Sequence, residues 1–324
     1  MLPGMALKPR VIVVGAGNFG SALALALRKA GYTIEGIMVR SITARSPGAS
    51  LNRAQKLAQE IGTSAVDFSS AKKLPAEIVW FAVPDTEIAG AARTLADKID
   101  WKKKVALHSS GALTSDELAV LRMHGASVAS VHPLMTFVRG ALAGKSAPSV
   151  DRLFAKSPLL AKPARSGAPV PLAHVSFGIE GDALAVRAAR RVVRDFNGHA
   201  YAIRKKDKAA YHAWATFISP LFTALLATAE RVAHEAGVPA AEARRRMIPI
   251  LQQTLDNYAN LGAAAGFSGP IVRGDVDTVE RHLRALRGVP LAEEVYRALA
   301  TAALEYLPAK NGEGLRRALR SRSR

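Results

Sequence analysis

The stretch Val11-Ile12-Val13-Val14-Gly15-Ala16-Gly17-Asn18-Phe19-Gly20 decides the fold of this chain. Its four leading β-branched residues are typical of a strand buried on both faces. After the glycine turn, an Ala- and Leu-rich helix is predicted from Ser21 to Ala30, with Gly31 as its stop. A strand, a Gly-x-Gly-x-x-Gly turn and a helix in this order indicate a dinucleotide-binding site, and a tight turn that holds no ligand is the alternative.

Each glycine of the turn has a separate task in such a site. Gly15 permits the tight turn, Gly17 lets a pyrophosphate approach the backbone, and Gly20 lets the helix pack closely on the strand. The helix N-terminus, which includes Asn18 and Phe19, offers free N–H groups and the positive end of a dipole to the phosphates.

The composition of the chain sets bounds on its class. A length of 324 residues suits two domains. The sequence contains no cysteine, which excludes disulfides and thiolate metal sites and fits a reducing compartment. Residues 1–10 lack the apolar core of a signal peptide, so we expect a cytoplasmic protein. The net charge of +19 is scattered along the chain without interleaved aromatic residues, so we expect no specific nucleic-acid partner.

Alternating apolar runs and helical patterns predict a Rossmann-type α/β domain with a doubly wound parallel sheet over residues 8–203. In such a sheet, ligands bind beyond the carboxyl ends of the strands. The segments predicted to meet there are Gly15–Gly20, Val83-Pro84-Asp85, Ser109-Ser110-Gly111 and His132-Pro133. Residues 139–173 interrupt the pattern and predict a basic loop insertion.

The second part of the chain has only helical patterns. Residues 204–309 predict an all-helical domain, and residues 310–324 predict a frayed basic tail. The uncharged run Ala209–Ala229 is long enough to cross a membrane, but its polar residues and its many alanines favour a helix buried in a domain or subunit core. We therefore expect no membrane association, and we expect a homodimer formed near this helix.

The end of the predicted second strand, Ile34–Val39, bears on the choice of cofactor. Arg40 and Ser41 follow directly, and Arg45 stands just beyond. An acidic residue at this place binds the ribose 2′-OH of NAD, whereas an arginine accommodates a 2′-phosphate. The sequence therefore predicts NADP, with NAD as the alternative.

Four further motifs carry a family resemblance. They are His108-Ser109-Ser110-Gly111-Ala112-Leu113, His132-Pro133-Leu134, Lys208 followed by Tyr211-His212, and Gly269-Pro270-Ile271-Val272-Arg273-Gly274-Asp275 with His282 further on. With a dinucleotide-binding domain ahead of an all-helical one, the chain resembles the 6-phosphogluconate dehydrogenase-like superfamily, and within it the Rossmann-like proteins that carry the domain of unknown function 2520.

The resemblance implies an NADP-dependent oxidoreductase that acts on a small molecule and forms a homodimer through its helical domain. The family pattern has an Asn at the position of Pro220 and a shorter loop after Arg139, and this sequence departs from it at both places.

The candidate catalytic residues are Lys208, His212 and His132. Lys208 and His212 are four residues apart and share one helix face. Hydroxyacid dehydrogenases place a catalytic Lys and an Asn at this spacing, so the resemblance makes Lys208 a general acid or a group that polarises a carbonyl, and His212 an orienting residue. His132 either contacts substrate or caps its corner, and Tyr211 is a candidate substrate contact. A surface lysine and hydrogen-bonded core histidines are the alternative, and a structural role is favoured for His108.

Arg273 and Asp275 flank Gly274 in a predicted turn between helices. They are candidate ligands for an anionic substrate group, and a helix N-cap by Asp275 is the alternative. The eight histidines show no ligand spacing with carboxylates, so we predict no metal site.

Two functions remain open from the sequence. The first is hydride transfer to or from a small carbonyl, imine or hydroxy-acid substrate, in a crevice between the two domains. The alternative is a module that senses NADP(H) without turnover.

Overall fold

The computed structural model describes residues 8–40, 47–68, 71, 75–137 and 172–321. These residues form two compact units, one of which ends at Thr216, while the other begins at Phe217. Of the predicted loop at 139–173, only Leu172 and Ala173 are described, so the predicted loop lies almost wholly outside the described residues.

The first unit contains an eight-stranded sheet in the order β3-β2-β1-β4-β5-β6-β7-β8. Its strands are β1 Val11–Val14, β2 Ile34–Val39, β3 Ala65–Asp67, β4 Ile78–Phe81, β5 Val105–His108, β6 Ser127–Pro133, β7 Ser176–Gly181 and β8 His199–Ala202. The helices of this unit are α1 Asn18–Lys29, α2 Pro47–Ile61, α3 Asp85–Ala96, α4 Ala119–Met123, α5 Ala183–Asp195 and the start of α6 Lys208–Ile218, with short 3₁₀ turns at Ser115–Leu118 and Lys205–Asp207.

The predicted fold class is confirmed, with one difference at the edge of the sheet. The strands from β3 to β6 are parallel, but β7 runs antiparallel to β6, and β8 is parallel to β7. A parallel pair needs a crossover, and α5 supplies one between β7 and β8. Between β6 and β7 the sequence predicts a loop, not the long crossover helix that is usual between parallel strands.

Strand β1 lies at the centre of the sheet and is buried on both faces, as the apolar run predicts. Val11 and Val13 pack in the cluster on one face, whereas Ile12 and Val14 pack in the cluster on the other. Helix α1 covers the first face and α3 covers the second, so the carboxyl ends of the central strands are left free to hold a site.

The second unit is helical. Its helices are α7 Pro220–Glu235, α8 Ala240–Gly266, α9 Pro270–Arg273, α10 Val276–Leu286, α11 Ala292–Tyr306 and α12 Gly312–Arg320, and the last residues of α6 also belong to it. The break between α6 and α7 is at Ser219, with φ −131° and ψ −80°, and Pro220 takes the first position of α7. Proline suits that position because its missing N–H has no partner there in any case.

Helix α12 corrects the prediction of a frayed tail at 310–324. Leu315, Ala318 and Leu319 are buried, and the leucines belong to a core cluster of the second unit. The Arg297 guanidinium donates to the carbonyl oxygens of Ala318 and Leu319 at the C-terminal end of the helix. The apolar residues recur at i, i+3 and i+4, and the high arginine content hid this amphipathic pattern.

Within the described part of the chain, the stretch Lys205–Glu235 is long and apolar enough, by length and composition alone, to cross a membrane. Core helices of soluble proteins pass the same test. The expected burial in a domain core is wrong for α7, which has no fully buried residue in the single chain. The other part of that prediction, burial of this helix in a subunit interface, stays a prediction.

Candidate functional site

The glycine turn has the geometry that a dinucleotide needs. Gly15 has φ +109°, and a Cβ on it would lie 2.5 Å from the Ala82 carbonyl oxygen at the end of β4. A Cβ on Gly20 would overlap the Gly15 carbonyl oxygen. Gly17 differs from both, because a Cβ there would meet no atom of the described residues within 4 Å, apart from its own chain neighbours. The first and last glycines therefore serve the fold, while the middle one borders open space in which a pyrophosphate would fit.

The N-terminus of α1 has no side-chain cap. Ser21 N–H donates to the Gly17 carbonyl oxygen, so the amides of Asn18, Phe19 and Gly20 precede the first intrahelical bond of this helix. The Asn18 side chain donates to the Phe137 carbonyl oxygen at 3.0 Å, and the Phe19 ring packs edge-on against the Phe137 ring. The backbone of these residues thus offers anion-binding groups, while their side chains hold the segment that follows β6.

Arg40 follows β2 directly and is exposed. Its Nη2 atom would lie 3.7 Å from a Cβ on Gly90 of α3, and its guanidinium makes no ion pair with any described residue. The other residues predicted to choose the cofactor, Ser41 and Arg45, lie outside the described residues.

The loops after β4 and β5 are tied to each other beside the glycine turn. The Ser110 hydroxyl donates to Asp85 Oδ2 at 2.7 Å, and Trp80 Nε1 donates to the Ser109 hydroxyl at 2.8 Å. Val83 lies next to Gly15, and Pro84 precedes the first residue of α3. The structure brings these predicted residues to one edge of the sheet, where Asp85, Ser109 and Ser110 use their side chains to shape the loops.

Lys208 is buried at the carboxyl ends of β5 and β6, with 1% of its surface exposed. Its ammonium donates to the Ser110 carbonyl oxygen at 2.9 Å and to the Ser130 hydroxyl at 2.6 Å. Burial lowers the pKa of Lys208 to about 8, and the nearby carboxylates of Glu180 and Asp85 oppose this shift. The lysine therefore points towards the predicted site, but in this structure protein atoms enclose it.

A second group of polar rings lies next to Lys208. His132 Nδ1 is 3.1 Å from the Tyr211 hydroxyl, and the His132 ring contacts the His212 ring edge-on with centroids 5.8 Å apart. Burial, the Lys208 charge and His212 together lower the pKa of His132 to about 4. His132 is therefore a neutral imidazole near pH 7.

Two glycines allow these rings to approach the backbone so closely. A Cβ on Gly111 would overlap the His212 ring and lie 2.8 Å from His132 Nε2. A Cβ on Gly178 of β7 would lie 3.0 Å from Tyr211 Cζ. Gly111 belongs to the Ser-Ser-Gly segment that was predicted to lie at the site, although no role was assigned to it, whereas Gly178 was not predicted as a site residue.

His108 has a structural role, as favoured from the sequence. The Ser110 amide donates to its Nδ1 at 3.2 Å, so Nε2 carries the hydrogen that it donates to the Thr114 carbonyl oxygen at 3.0 Å. Burial, followed by the Lys208 charge, lowers the pKa of His108 to about 4. Both nitrogens are occupied in holding the turn after β5, and neither is free for a substrate.

Arg273 and Asp275 belong to the second unit. Asp275 Oδ1 accepts the Thr278 N–H at 3.0 Å and caps α10, which is the alternative that the sequence left open. Arg273 is exposed at the end of the short helix α9. No group of three or more potential metal ligands occurs among the residues that the structure describes.

The buried ammonium makes stability depend on pH. We expect the unfolding free energy of the wild type, minus that of Lys208→Met, to rise as the pH increases from about 8 to 10.5. In this window the unfolded lysine keeps its proton while the folded one has lost it, so a higher pH favours the folded state. The full difference between the two pKa values of Lys208 corresponds to about 3 kcal/mol.

Denaturant titrations of both proteins across this range would measure the effect, since the other titrating groups cancel in the difference. A difference that stays constant with pH would contradict a titrating, buried Lys208.

Comparisons with known proteins agree with this architecture. Residues 5–133 match a family model described as a Rossmann-like domain, and residues 175–303 match one described as a domain of unknown function, DUF2520. The predicted family is thereby confirmed. A search of curated proteins finds no match.

Several solved structures share the fold. A protein from Bacteroides fragilis that is provisionally assigned as an NADP oxidoreductase is 18% identical to this chain, with a TM-score of 0.65. The match covers 91% of this chain and 97% of that protein. A reductive aminase from Aspergillus terreus, in complex with NADPH and ethyl-5-oxohexanoate, is 15% identical to this chain, with a TM-score of 0.59. The match covers 96% of this chain and 99% of the aminase. A variant of an imine reductase from Myxococcus stipitatus, in complex with NAD⁺, is 16% identical to this chain, with a TM-score of 0.56. The match covers 97% of this chain and 100% of the imine reductase. This chain therefore has the fold of NAD(P)-dependent reductases.

Proposed function

Since this chain is a Rossmann-like protein with a DUF2520 domain, we propose that it is an NADP-dependent oxidoreductase that acts on a small carbonyl, imine or hydroxy-acid substrate. One observation carries the proposal: the parallel strands β1, β4, β5 and β6 end at one edge of the sheet. The open glycine turn follows β1, and the cluster of Lys208, His132, Tyr211 and His212 lies at the ends of β5 and β6. The glycine turn and this cluster of polar side chains thus lie at the same end of the strands, within the first unit.

The residues present fit a dinucleotide. The amides at the start of α1 would bind the pyrophosphate, and the open space at Gly17 would admit it. Arg40 would bind a 2′-phosphate, together with Ser41 and Arg45. When bound, the nicotinamide supplies the hydride or accepts it.

The side chains of the cluster would divide the remaining work. A neutral His132 would donate a hydrogen bond to the substrate oxygen or nitrogen, and His212 and Tyr211 would orient the substrate. Lys208 would stabilise negative charge that develops nearby and would hold the Ser109–Gly111 loop in place. The names of the reductive aminase and the imine reductase support carbonyl and imine substrates for this chain as well.

The test is consumption of NADPH in the presence of cyclic imines, ketones with an amine, and 2-oxo acids. We expect at least one of these classes to be reduced. Tight NADPH binding without consumption in any class would overturn the assignment and would favour an NADP(H) sensor instead.

Arg40→Asp is expected to remove most of the preference for NADPH over NADH. Each charge-assisted hydrogen bond to a 2′-phosphate contributes roughly 1.5–3 kcal/mol, so two such bonds would favour NADPH by about 100-fold or more. The side chain is exposed and has no described ionic partner, so the fold should be unaffected. Titration of both cofactors against the wild type and the variant measures the effect, and Arg53→Asp on the exposed side of α2 is the control. Unchanged selectivity would exclude Arg40 from the cofactor site.

We also propose that the chain forms a homodimer through α7 and α8. Helix α7 has no fully buried residue, and α8 has one, Ala243. Large apolar side chains on and beside these helices are exposed, among them Phe217, Leu221, Ile250, Tyr258 and Leu261. Monomers rarely leave so many large apolar groups in water on neighbouring helices.

Light scattering is expected to give the mass of two chains at micromolar concentration. Ile250→Arg should weaken the association by about tenfold or more, because a charge would replace a large apolar group in the interface. Met123→Arg, which changes an exposed apolar residue of the first unit, should leave the mass unchanged. A stable wild-type monomer would contradict the proposal.

A further inference from the structure

We propose that Glu180 is a positioning residue for Lys208, because its buried carboxylate supplies the negative charge that keeps the lysine an ammonium at the ends of β5 and β6. The use of that positive charge in a reaction rests on the proposed function, but the pairing of the two groups does not. Glu180 lies on β7, and neither the sequence motifs nor the proposed mechanism includes it.

Charged side chains are rare in the interior of this protein. Within the described part of the chain, Glu180 is the only buried carboxylic acid, and Lys208 is the only buried lysine or arginine. Neither of them forms a direct ion pair with another described residue. A buried charge without an opposite charge nearby is strongly destabilising, so each of these two groups needs a counter-charge close to it.

Ser130 of β6 adjoins both charged groups. In the antiparallel pairing of β6 with β7, Ser130 lies directly opposite Glu180, so the two side chains project from the same face of the sheet. The Cβ atoms of such a pair are about 4.5–5.5 Å apart. The Oγ atom of the same serine is 2.6 Å from Lys208 Nζ. The carboxylate and the ammonium thus lie next to one small side chain.

The Glu180 carboxylate is held in place by the 3₁₀ turn Ser115–Leu118. The Ser115 amide donates to Oε1 at 2.6 Å, and Ser115 Oγ is 2.9 Å from Oε2. An N–H group that donates to a carboxylate oxygen favours the ionised form of the acid. The negative charge therefore has a fixed position beside Ser130.

Three other titratable groups on neighbouring elements also face Lys208. His108 and His132 have pKa values lowered to about 4, chiefly by burial, so both are neutral near pH 7. Asp85 at the start of α3 is exposed, and water weakens its effect on a buried charge. Burial has the largest effect on the pKa of Lys208, and of the two carboxylates that oppose it, Glu180 acts more strongly than Asp85.

The helix that carries Lys208 offers no counter-charge of its own. Its nearby titratable groups, Tyr211 and His212, both contact His132. Burial raises the pKa of Tyr211, so this hydroxyl is neutral near pH 7, and a histidine side chain is neutral or positive.

The cations near Glu180 are already paired with other acids. Arg122 and Lys205 border the same groove as Glu180. Arg122 forms ion pairs with Asp116 and Asp182, and Lys205 forms one with Asp116. Lys208 is therefore the cation that the buried carboxylate is left to balance.

The test is the pKa of Lys208, read from ¹H–¹³C correlation spectra of the full chain labelled at the lysine ε-carbon and recorded from about pH 6 to 11. The signal is identified by its loss in Lys208→Met. We expect a pKa of about 8 in the wild type. In Glu180→Gln, which keeps the size and shape of the side chain, we expect a pKa lower by about 1 or more, because an opposite charge has been removed.

Two further variants separate charge from shape. Glu180→Asp keeps a carboxylate and should restore most of the lost pKa of Lys208. Asp85→Asn is the matched control, since it removes the exposed carboxylate and should lower the pKa of Lys208 by less than Glu180→Gln does. A larger decrease in Asp85→Asn would overturn the inference.

A wild-type Lys208 that is already neutral at pH 7 would also overturn the inference, and this reading needs no variant to fold. An unchanged pKa of Lys208 in folded Glu180→Gln would do the same, because a purely structural role of Glu180 leaves that pKa as it is. If the protein reduces a substrate, kcat of Glu180→Gln should begin to fall at a lower pH than in the wild type, with an unchanged Kd for NADPH. A lowered pKa of Lys208 in Glu180→Gln, without any NADPH consumption by the wild type, would leave the inference intact and remove the proposed function.

Discussion

Lys208→Met is expected to lower kcat by about 10²- to 10³-fold, the effect of removing one group that stabilises charge in the transition state. The substitution keeps the apolar stem but removes the ammonium that bonds the Ser110 carbonyl oxygen and the Ser130 hydroxyl. It also removes the positive charge next to His132. Because the proposed role of Lys208 is to stabilise charge that develops during the reaction, the Kd for NADPH should change little.

Lys206→Met is the matched control for this variant. Lys206 lies two residues earlier, is exposed, and has no partner among the described residues. Its replacement should leave kcat within about twofold of the wild type, as is usual for surface substitutions away from a site. A Lys208→Met enzyme with wild-type kcat would show that the lysine serves only the packing of the strand ends.

Gly17→Val is expected to weaken NADPH binding by at least about 100-fold while the protein stays folded, because bound phosphate and a branched side chain cannot occupy the same space. Within the part of the chain that the structure describes, no atom other than those of Gly17 and its chain neighbours lies within 4 Å of the position of its Cβ, so there is room for the side chain. The backbone φ of Gly17 is −75°, which any residue can adopt. Calorimetric titration with NADPH measures the loss, and thermal unfolding checks the fold.

Gly15→Ala provides the contrast. Its φ of +109° and the Ala82 carbonyl oxygen at 2.5 Å leave no place for a Cβ, so this variant should lose stability as well as binding. If Gly17→Val bound NADPH as tightly as the wild type, the glycine turn would not be the cofactor site.

The organisation of the first unit could be predicted because its information is local. The residues of β1 are buried on alternate faces by two separate clusters, which is what an unbroken β-branched run requires. The roles of Gly15, Gly17 and Gly20 follow from their spacing, and the crowding at each position agrees with them.

What could not be predicted depends on contacts between distant parts of the chain. The spacing of Lys208 and His212 placed both on one helix face, but the enclosure of Lys208 depends on Ser110 and Ser130, which lie far back in the sequence. The contact between His132 and Tyr211 could not be predicted for the same reason, since 79 residues separate them in the sequence. Helix α12 was not predicted because its high arginine content obscured the amphipathic spacing of Leu315, Ala318 and Leu319.

We propose that NADPH binds at the glycine turn of this protein and is preferred over NADH. Calorimetric titration of the wild-type chain with each cofactor tests it most directly. We expect both cofactors to bind at one site per chain, and NADPH to bind about 100-fold more tightly than NADH. Absence of NADPH binding, or tighter binding of NADH, would contradict it.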